Sequence, residues 1–385
     1  MTFTSFNLWY SNTYITILLK EGFPLHLKSI GLVTIISLIG AFVFDFLNFP
    51  VPWMLGPLFA VLISQFFIKY ELYWPVQLRN VGLIIVGVSI GQTFQFSVFA
   101  GMGWLIFFML ILNVVLVIIS VLMAFGVQKI GNVPLKTALT CTVPGGLGQI
   151  VLFAEEEKDI DLAVVTYFHV VRVISIVMLI PFVLSGHVVQ AEGGAGFSVN
   201  EIIPILLLLL ASGATVWFGK KLKIPVPFFL TPILFIIVLS FFSVETPELP
   251  GYLLHIAQLL MGAYIGLLLK PNMIKLGKKV LLLGVGSAIL LMVATFAQGL
   301  LLIYFLDYSL PTSFLSTAAG GLDQMSLLAT AIGADVITVT VFQMFRLLFV
   351  FLLVLPLLKI ACSMIDKRQL NDGMKLKLNE KGVPK

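Results

Sequence analysis

The chain has 385 residues, of which 59% are hydrophobic and only 11% are charged, and its formal net charge is +5. A soluble domain usually carries about 25% charged residues, so this composition excludes a chain that folds in water and indicates a lipid bilayer as the solvent. The small positive charge lies mainly in short loops and in the C-terminal tail, which favours a role in membrane topology over nucleic-acid binding.

Hydrophobic stretches follow one another along the chain in two sets of six. The N-terminal segment 1–26 precedes them; it lacks signal-peptide features, and its aromatic residues predict an interfacial segment. Most of the stretches reach the length of about 20 apolar residues that crosses a bilayer. The first set is 27–47, 52–69, 76–97, 103–127, 134–154 and 160–185, and the second is 201–219, 226–243, 251–270, 278–306, 311–332 and 336–359. A linker at 187–200 joins the sets, and a basic tail at 361–385 follows them.

The two sets are copies of one unit, because unusual residues recur at a constant offset. The string LNFPVPWMLGP in the first set matches LKIPVPFFLTP in the second, and Gly145 matches Gly320, both at an offset of 175. One residue is then lost, and Arg172 matches Arg346 at an offset of 174. The predicted membrane repeats are 27–186 and 201–360.

The fifth element of each repeat is rich in Gly, Ser and Thr, and its central Gly-Gly pair breaks a helix. Each fifth element is therefore either a re-entrant hairpin or a pair of half-helices. If basic loops are cytoplasmic, the fifth element enters and leaves on one side in both repeats. Five crossings plus one re-entrant element then turn the second repeat upside down. The predicted fold is an all-α polytopic membrane protein of two inverted repeats with about ten transmembrane helices, both termini being cytoplasmic.

The two broken elements are the predicted substrate site. Non-helical backbone at membrane depth persists only where protein, water or a ligand satisfies it, and facing half-helix N-termini form an anion site. The alternative is that the glycines only allow close helix packing. The predicted substrate-binding residues are Thr142, Gly145, Gly146, Gln149, Arg172, Gly320, Gly321, Gln324 and Arg346.

Each titratable residue singled out within the predicted spans has a functional and a structural interpretation. Arg172 and Arg346 lie near the middle of the sixth spans, where an arginine costs about 2.5–3.5 kcal/mol. Each either attracts an anionic substrate or bonds the carbonyls of the broken backbone. Asp323, whose counterpart is Gly148, predicts a coupling site for H⁺ or Na⁺, or else pairs with Arg346 or caps the second half-helix. His169 is a second coupling candidate as a proton relay, or a satisfied interior histidine.

Motifs of enzymes and metal sites are missing from the sequence. The four histidines show no metal-ligand spacing, the two cysteines form no CxxC, and no P-loop or GxSxG occurs. The sequence therefore predicts no enzymatic activity, no metal and no other cofactor.

Four strings distributed over both repeats resemble the duplicated AbrB-type membrane protein family: VPWMLGPL, VPGGLGQIVLFAEEE, AQLLMGAYIG and STAAGGLDQMSLLATAIGADV. The resemblance covers nearly the whole chain and implies a protein of the bacterial inner membrane. Members of that family are labelled transcriptional regulators or ammonia monooxygenases. The sequence carries neither the ligand clusters of a monooxygenase nor a basic soluble module that would read DNA.

We expect a secondary transporter that moves a small anionic or zwitterionic metabolite by alternating access and is coupled to an ion. A membrane regulator that alters gene expression indirectly is the alternative, and a monooxygenase component is the least favoured reading. The expected partners are the substrate and the lipid bilayer, without nucleic acid, and the sequence leaves open whether the chain forms a homodimer.

Overall fold

A computed structural model describes residues 23–68, 70–94, 102–184 and 202–380 of the chain. Within these ranges the regular secondary structure is helical, and no strand occurs. The α-helices in chain order are α1 (Phe23–Phe46), α2 (Pro52–Phe67), α3 (Val76–Thr93), α4 (Met102–Gly131), α5 (Leu135–Thr142), α6 (Leu147–Glu156), α7 (Leu162–Val183), α8 (Ile202–Lys221), α9 (Pro227–Phe241), α10 (Gly251–Gly266), α11 (Lys278–Leu306), α12 (Leu310–Thr317), α13 (Leu322–Ile332), α14 (Val336–Phe349) and α15 (Leu355–Glu380). A 3₁₀ turn (Pro271–Leu276) precedes α11, and a π-helical turn (Val350–Val354) joins α14 to α15.

By length and composition, seven helical stretches of the described residues could cross a membrane. Helices α2 and α9 are also apolar but shorter, with 16 and 15 residues. Large apolar side chains such as Phe42, Ile118 and Leu282 are 58%, 54% and 73% exposed, which is normal in lipid and unfavourable in water. These features are compatible with a multi-pass membrane protein. The seven stretches are Leu27–Phe46, Trp104–Gly131, Leu162–Val183, Ile202–Lys221, Gly251–Met273, Lys278–Leu306 and Val336–Lys367.

The last helix is longer than the sequence predicted. Hydropathy places the end of the last span near residue 359, but the helix continues through Val350–Val354 and on to Glu380. Lys, Arg and Glu are good helix formers, so the loss of hydropathy marks the end of the apolar stretch and not the end of the helix. The predictions for residues 1–22 and for the linker at 187–200 lie outside the described residues.

The loops that precede α2 and α9 share a rare backbone conformation. Asn48 and Lys223, at matching positions, both have a φ of 55°, and Val51 and Val226 have φ values of 49° and 46°. Positive φ in a β-branched residue is a genuine outlier, and it occurs at both of the valines that match in the sequence.

The compact units of the fold divide the chain differently from the two sequence repeats. One unit contains α1, α2, α8 and α10 with the adjoining parts of α3 and α9. The other unit contains α4 to α7, α11 to α15 and the remaining parts of α3 and α9. Each unit therefore takes elements from both repeats, and both broken elements belong to the second unit.

Helices of one repeat pack closely on helices of the other through matched glycines. A Cβ built on Gly87 would lie 2.7 Å from the carbonyl oxygen of Phe229, and a Cβ on Gly262 would overlap the carbonyl oxygen of Met54. Positions 87 and 262 match at the offset of 175, as do positions 54 and 229. The same contact is therefore made twice with the roles of the repeats exchanged, as a two-fold relation requires.

The register of these contacts gives the direction of the packed helices in the first unit. Gly262 of α10 meets Met54 of α2, and one turn later a Cβ on Gly266 would lie 2.7 Å from the carbonyl oxygen of Leu58. The side chain of Gln65 on α2 donates to the Gly266 carbonyl at 2.7 Å. Residue numbers rise together along both helices, so α2 and α10 run parallel.

Candidate functional site

Each fifth element forms two half-helices separated by four non-helical residues, of which the first and the last have extended backbone. In the first repeat α5 ends at Thr142 and α6 begins at Leu147, with φ and ψ of −55° and 129° at Val143 and of −66° and 134° at Gly146. In the second repeat Ala318–Gly321 has the same form, with −51° and 129° at its first residue and −78° and 150° at its last. Extended residues cannot continue the helical hydrogen-bond ladder, so carbonyls of both breaks need other donors.

Arg172 of α7 supplies donors to the first break. Its Nη1 donates to the carbonyl of Val143 at 2.9 Å and its Nη2 donates to the carbonyl of Gly145 at 2.7 Å. The side chain is buried, 5% exposed. A forked guanidinium matches two carbonyls with one side chain, and its charge also stabilises the negative C-terminal end of α5.

Arg346 of α14 makes the matching contacts in the second break. It donates to the carbonyls of Thr317 at 3.1 Å and Gly320 at 2.7 Å, and also to the carbonyl of Ala318 and to Oε1 of Gln343. Both arginines thus make the backbone contacts of the second sequence interpretation, in which the arginine holds the broken segment together.

His169 and Gln343 extend the same pattern by one turn. Nε2 of His169 lies 2.9 Å from the carbonyl of Thr140 and must carry the proton that bonds it, while Nδ1 has no partner among the described residues. At the matching position, Nε2 of Gln343 donates to the carbonyls of Leu315 at 2.7 Å and Ala318 at 3.1 Å. Four side chains therefore satisfy the carbonyls at the C-terminal ends of α5 and α12.

An aspartate caps the helix that follows each broken element. Asp161 accepts from two backbone N–H groups at the start of α7, and Asp335 accepts from two at the start of α14, at 3.0–3.1 Å. The backbone N–H of each aspartate donates at 3.0 Å to the hydroxyl of a threonine in the first half-helix of the same broken element, Thr137 in α5 or Thr312 in α12. Sequence reasoning used these aspartates only as repeat markers, although Asp before an apolar run is an N-cap signal.

The N-terminal turns of α6 and α13 carry the remaining predicted site residues. Gly146 and Gly321 precede these helices and offer no side-chain cap. Oε1 of Gln149 and Oε1 of Gln324 are shielded from solvent and accept no hydrogen bond from the described residues. Asp323 lies in the first turn of α13 and is 5% exposed.

Thr142, a predicted site residue, makes its side-chain hydrogen bonds within its own helix. The hydroxyl of Thr142 donates to the carbonyls of Ala138 and Leu139 in its own helix, at 3.2 and 3.3 Å. The hydroxyl is therefore satisfied within α5.

The first break lies beside the helical segment that follows Arg346 in the second repeat. A Cβ built on Gly145 would lie 3.2 Å from Cγ1 of Val350, one turn beyond Arg346. In addition, α13 of the second repeat contacts α7 of the first. The helices around the two breaks therefore pack against one another within the second unit, through α13 and α7.

A small polar cavity beside the second break was missed by sequence reasoning. It has room for about one water molecule, and the hydroxyl of Ser316 there has no hydrogen-bond partner among the described residues. Gln298 of α11 borders it and donates to the carbonyl of Leu112 on α4 at 2.9 Å. The polar residues in the fourth element of each repeat are the feature of the sequence that could have indicated this cavity. The lining residues are Leu112, Asn113, Leu116, Gln298, Ser316, Thr317, Phe342 and Arg346.

Helices with membrane-compatible length, apolar exposed faces and buried broken segments define the class as a membrane-type helical protein. The described residues contain no group of three His, Cys, Asp or Glu that could hold a metal ion. Comparison with known proteins then identifies the family within this class. The family model described as "Transition state regulatory protein AbrB" matches residues 53–361, so the chain belongs to the AbrB family.

Two curated relatives cover most of the chain. One is "Uncharacterized protein YhjN" of Bacillus subtilis (strain 168), 24% identical over 349 residues, which are 83% of this chain and 90% of the relative. The other is "Putative regulator AbrB" of Escherichia coli (strain K12), 27% identical over 335 residues, 84% of this chain and 93% of the relative. No solved structure matches the chain.

Proposed function

We propose that the protein is a secondary transporter of a small anionic or zwitterionic metabolite that works by alternating access. The observation that carries this proposal is the pair of broken helices, whose carbonyls accept hydrogen bonds from matching arginines and which belong to the same compact unit. Transporters of this kind place their substrate at discontinuous helices between inverted repeats.

The direction of α2 and α10 supports the inverted arrangement. They are the second element of the first repeat and the third element of the second, and they run parallel by the register of Met54 and Leu58 on Gly262 and Gly266. Consecutive membrane-crossing elements of one repeat run in opposite directions. Repeats of the same orientation would therefore make α2 and α10 antiparallel, whereas inverted repeats make them parallel. We propose on this basis five crossings and one broken element in each repeat.

Asp323 is the proposed coupling residue, with His169 as the second candidate. Asp323 has no acidic counterpart in the first repeat, where Gly148 stands at the matching position, and it is almost wholly buried. A buried carboxylate at membrane depth marks an ion or proton path more often than a structural role. We place the protein in the bacterial inner membrane with both termini in the cytoplasm, without enzymatic activity or cofactor.

The test is a flux measurement on protein reconstituted in liposomes. The proteoliposomes are adsorbed on a solid-supported membrane under an imposed proton or sodium gradient. The measurement is the current that follows a sudden rise in the concentration of a small anion or zwitterion. We expect currents from the wild type, none from Asp323→Asn, and wild-type currents from Gln92→Leu, a control substitution of a polar side chain in α3 that donates to the Pro247 carbonyl at 2.7 Å. Equal currents from Asp323→Asn and wild type would remove the coupling role.

A regulatory function is the second candidate, because the family description and one relative carry the word regulator. The protein would sense a metabolite or partner in the membrane and change gene expression indirectly. A deletion strain complemented with wild type or with the flux-deficient Asp323→Asn distinguishes the two. Transcript levels restored equally by both would favour regulation without transport.

A further inference from the structure

The polar cavity beside the second break is lined by residues from four helices of the second unit. Asn113 lines it from α4, Gln298 from α11 and Ser316 from α12. Arg346 of α14 adds a positive charge to the lining. Because the cavity has room for about one water molecule, its occupant can be a single water molecule or a monatomic ion, and nothing larger.

Three side-chain oxygens of the lining residues lack a hydrogen-bond partner among the described residues. One is the hydroxyl of Ser316, a side chain that is 3% exposed. The others are Oδ1 of Asn113 and Oε1 of Gln298, which are 8% and 5% exposed. The amide nitrogens of these two residues donate to the carbonyls of Met109 at 2.8 Å and Leu112 at 2.9 Å, which fixes the orientation of both amides. Buried polar groups are almost always paired, so these oxygens call for a bound partner.

The chemistry of the lining selects the kind of partner. A cation would suit the three oxygens but would be repelled by the guanidinium of Arg346, and this repulsion is strong away from bulk water. An anion would suit Arg346 but would meet the amide oxygens of Asn113 and Gln298, which only accept hydrogen bonds. A water molecule carries no charge, can donate to both amide oxygens and can accept from the hydroxyl of Ser316. Three hydrogen bonds are typical of a buried water.

We propose that this cavity is a binding site for one internal water molecule, which joins α4, α11 and α12 beside the second break. The water donates to Oδ1 of Asn113 and to Oε1 of Gln298 and accepts from the hydroxyl of Ser316. The proposal does not depend on the transport function, because it rests only on the lining of the cavity.

The sequence repeat makes this site particular to the second repeat. At the offset of 175, Ser316 matches Cys141 and Gln298 matches Met123. Thiol and thioether sulfurs are weak hydrogen-bonding groups compared with hydroxyl and amide oxygens. The two breaks have matching arginines, but the residues that would bind a water molecule beside the first break are replaced by sulfur-containing ones.

The experiment is oxidation by hydroxyl radicals that short X-ray pulses generate from water, because radicals formed at an internal water oxidise the side chains next to it. The sample is the purified full chain in lipid nanodiscs, and mass spectrometry measures the oxidation of each residue. Phe342 lines the cavity, whereas Phe314, 1% exposed, is a buried phenylalanine outside its lining. We expect oxidation of Phe342 and none above background at Phe314. Equal oxidation of the two rings, at any level, would overturn the proposal.

Two serine variants test whether Ser316 holds the water. Ser316→Val replaces the hydroxyl by a methyl group and makes the cavity smaller and less polar. The matched control is Ser120→Val, at a buried serine whose hydroxyl donates to the Leu116 carbonyl of its own helix at 2.8 Å. We expect Ser316→Val to lose the oxidation of Phe342 and Ser120→Val to keep it. Oxidation retained in Ser316→Val would overturn the proposed site, and the comparison of the two rings in the wild type is valid whether or not a variant folds.

A change of buffer ions distinguishes water from a bound ion. The wild type is measured once in sodium chloride and once with sodium replaced by choline and chloride by gluconate, which are too large for the cavity. We expect the oxidation of Phe342 to be the same in both buffers. A difference between the buffers would assign the cavity to sodium or chloride and overturn the proposal.

Discussion

Replacement of Arg346 by glutamine tests whether the arginine holds the broken helix together. The substitution removes donors from the carbonyls of Thr317, Ala318 and Gly320, all in the second break. Hydrogen bonds to charged groups contribute about 1.5–3 kcal/mol each. The substitution also removes the cost of burying a cation, which offsets part of this loss. We therefore expect the free energy of unfolding to fall by about 3–5 kcal/mol, as when one partner of a buried charged pair is removed.

The assay is unfolding in detergent followed by tryptophan fluorescence, since the chain has five tryptophans. The expected loss lowers the unfolding temperature on the order of 10 °C. Arg346→Lys should lie between wild type and Arg346→Gln, because an ammonium group cannot bond several carbonyls in a fork. Lys221→Gln is the matched control, an exposed cation 5.3 Å from the ring centre of Trp217, with an expected loss of about 0.5–1 kcal/mol.

A stability of Arg346→Gln within about 1 kcal/mol of the wild type would refute the reasoning. If such a stable variant had also lost ligand binding, the arginine would act on an anionic substrate, as in the first sequence interpretation. The two interpretations of the arginine therefore predict opposite combinations of stability and binding.

Three further substitutions test other parts of the fold by the same unfolding assay. Gly262→Leu should lower the free energy of unfolding by about 1–3 kcal/mol, because a Cβ at this position meets the backbone of α2. Gly126→Ala, in open space within a helix, should leave the free energy of unfolding unchanged or raise it by up to about 1 kcal/mol. Similar effects of both substitutions would argue against the close helix contact. Asp335→Ala should cost about 0.5–2 kcal/mol by loss of the α14 cap, and no loss would show that the cap contributes nothing. Lys136 is 4% exposed and pairs with Asp366, so Asp366→Asn should destabilise more than the double variant Lys136→Met/Asp366→Asn; additive losses would contradict a coupled pair.

The sequence predicted the position of the helix breaks because Gly-Gly pairs and the repeat offset are both local signals. It also aligned Arg172 with Arg346 and Gly145 with Gly320, and the structure gives each pair the same contacts. The sequence could not decide between backbone and ligand as the partner of the arginines. Arg172 and the Gly145 carbonyl are 27 residues apart, and the path of the intervening half-helix fixes whether they meet.

Sequence patterns did not predict the long-range contacts of the fold. The bond from Gln298 to the Leu112 carbonyl joins residues 186 positions apart, and neither residue belongs to a motif. The pairing of Lys136 with Asp366 depends on the helix continuing past residue 359, which hydropathy does not indicate. The oxygens of Gln149 and Gln324 that have no partner among the described residues are likewise identified by their burial, which the sequence does not give.

The most direct test of inverted repeats is the side of the membrane on which matching loops lie. Lys158 in the loop between α6 and α7 is exposed, and Ala334 lies in the matching loop between α13 and α14. Single cysteines at these two positions would be labelled with a membrane-impermeant maleimide in intact cells and in inverted vesicles, with the buried Cys141 and Cys362 of the wild type as the unlabelled reference. We predict that one introduced cysteine reacts only from outside and the other only from inside, whereas labelling of both from the same side would contradict the inverted arrangement.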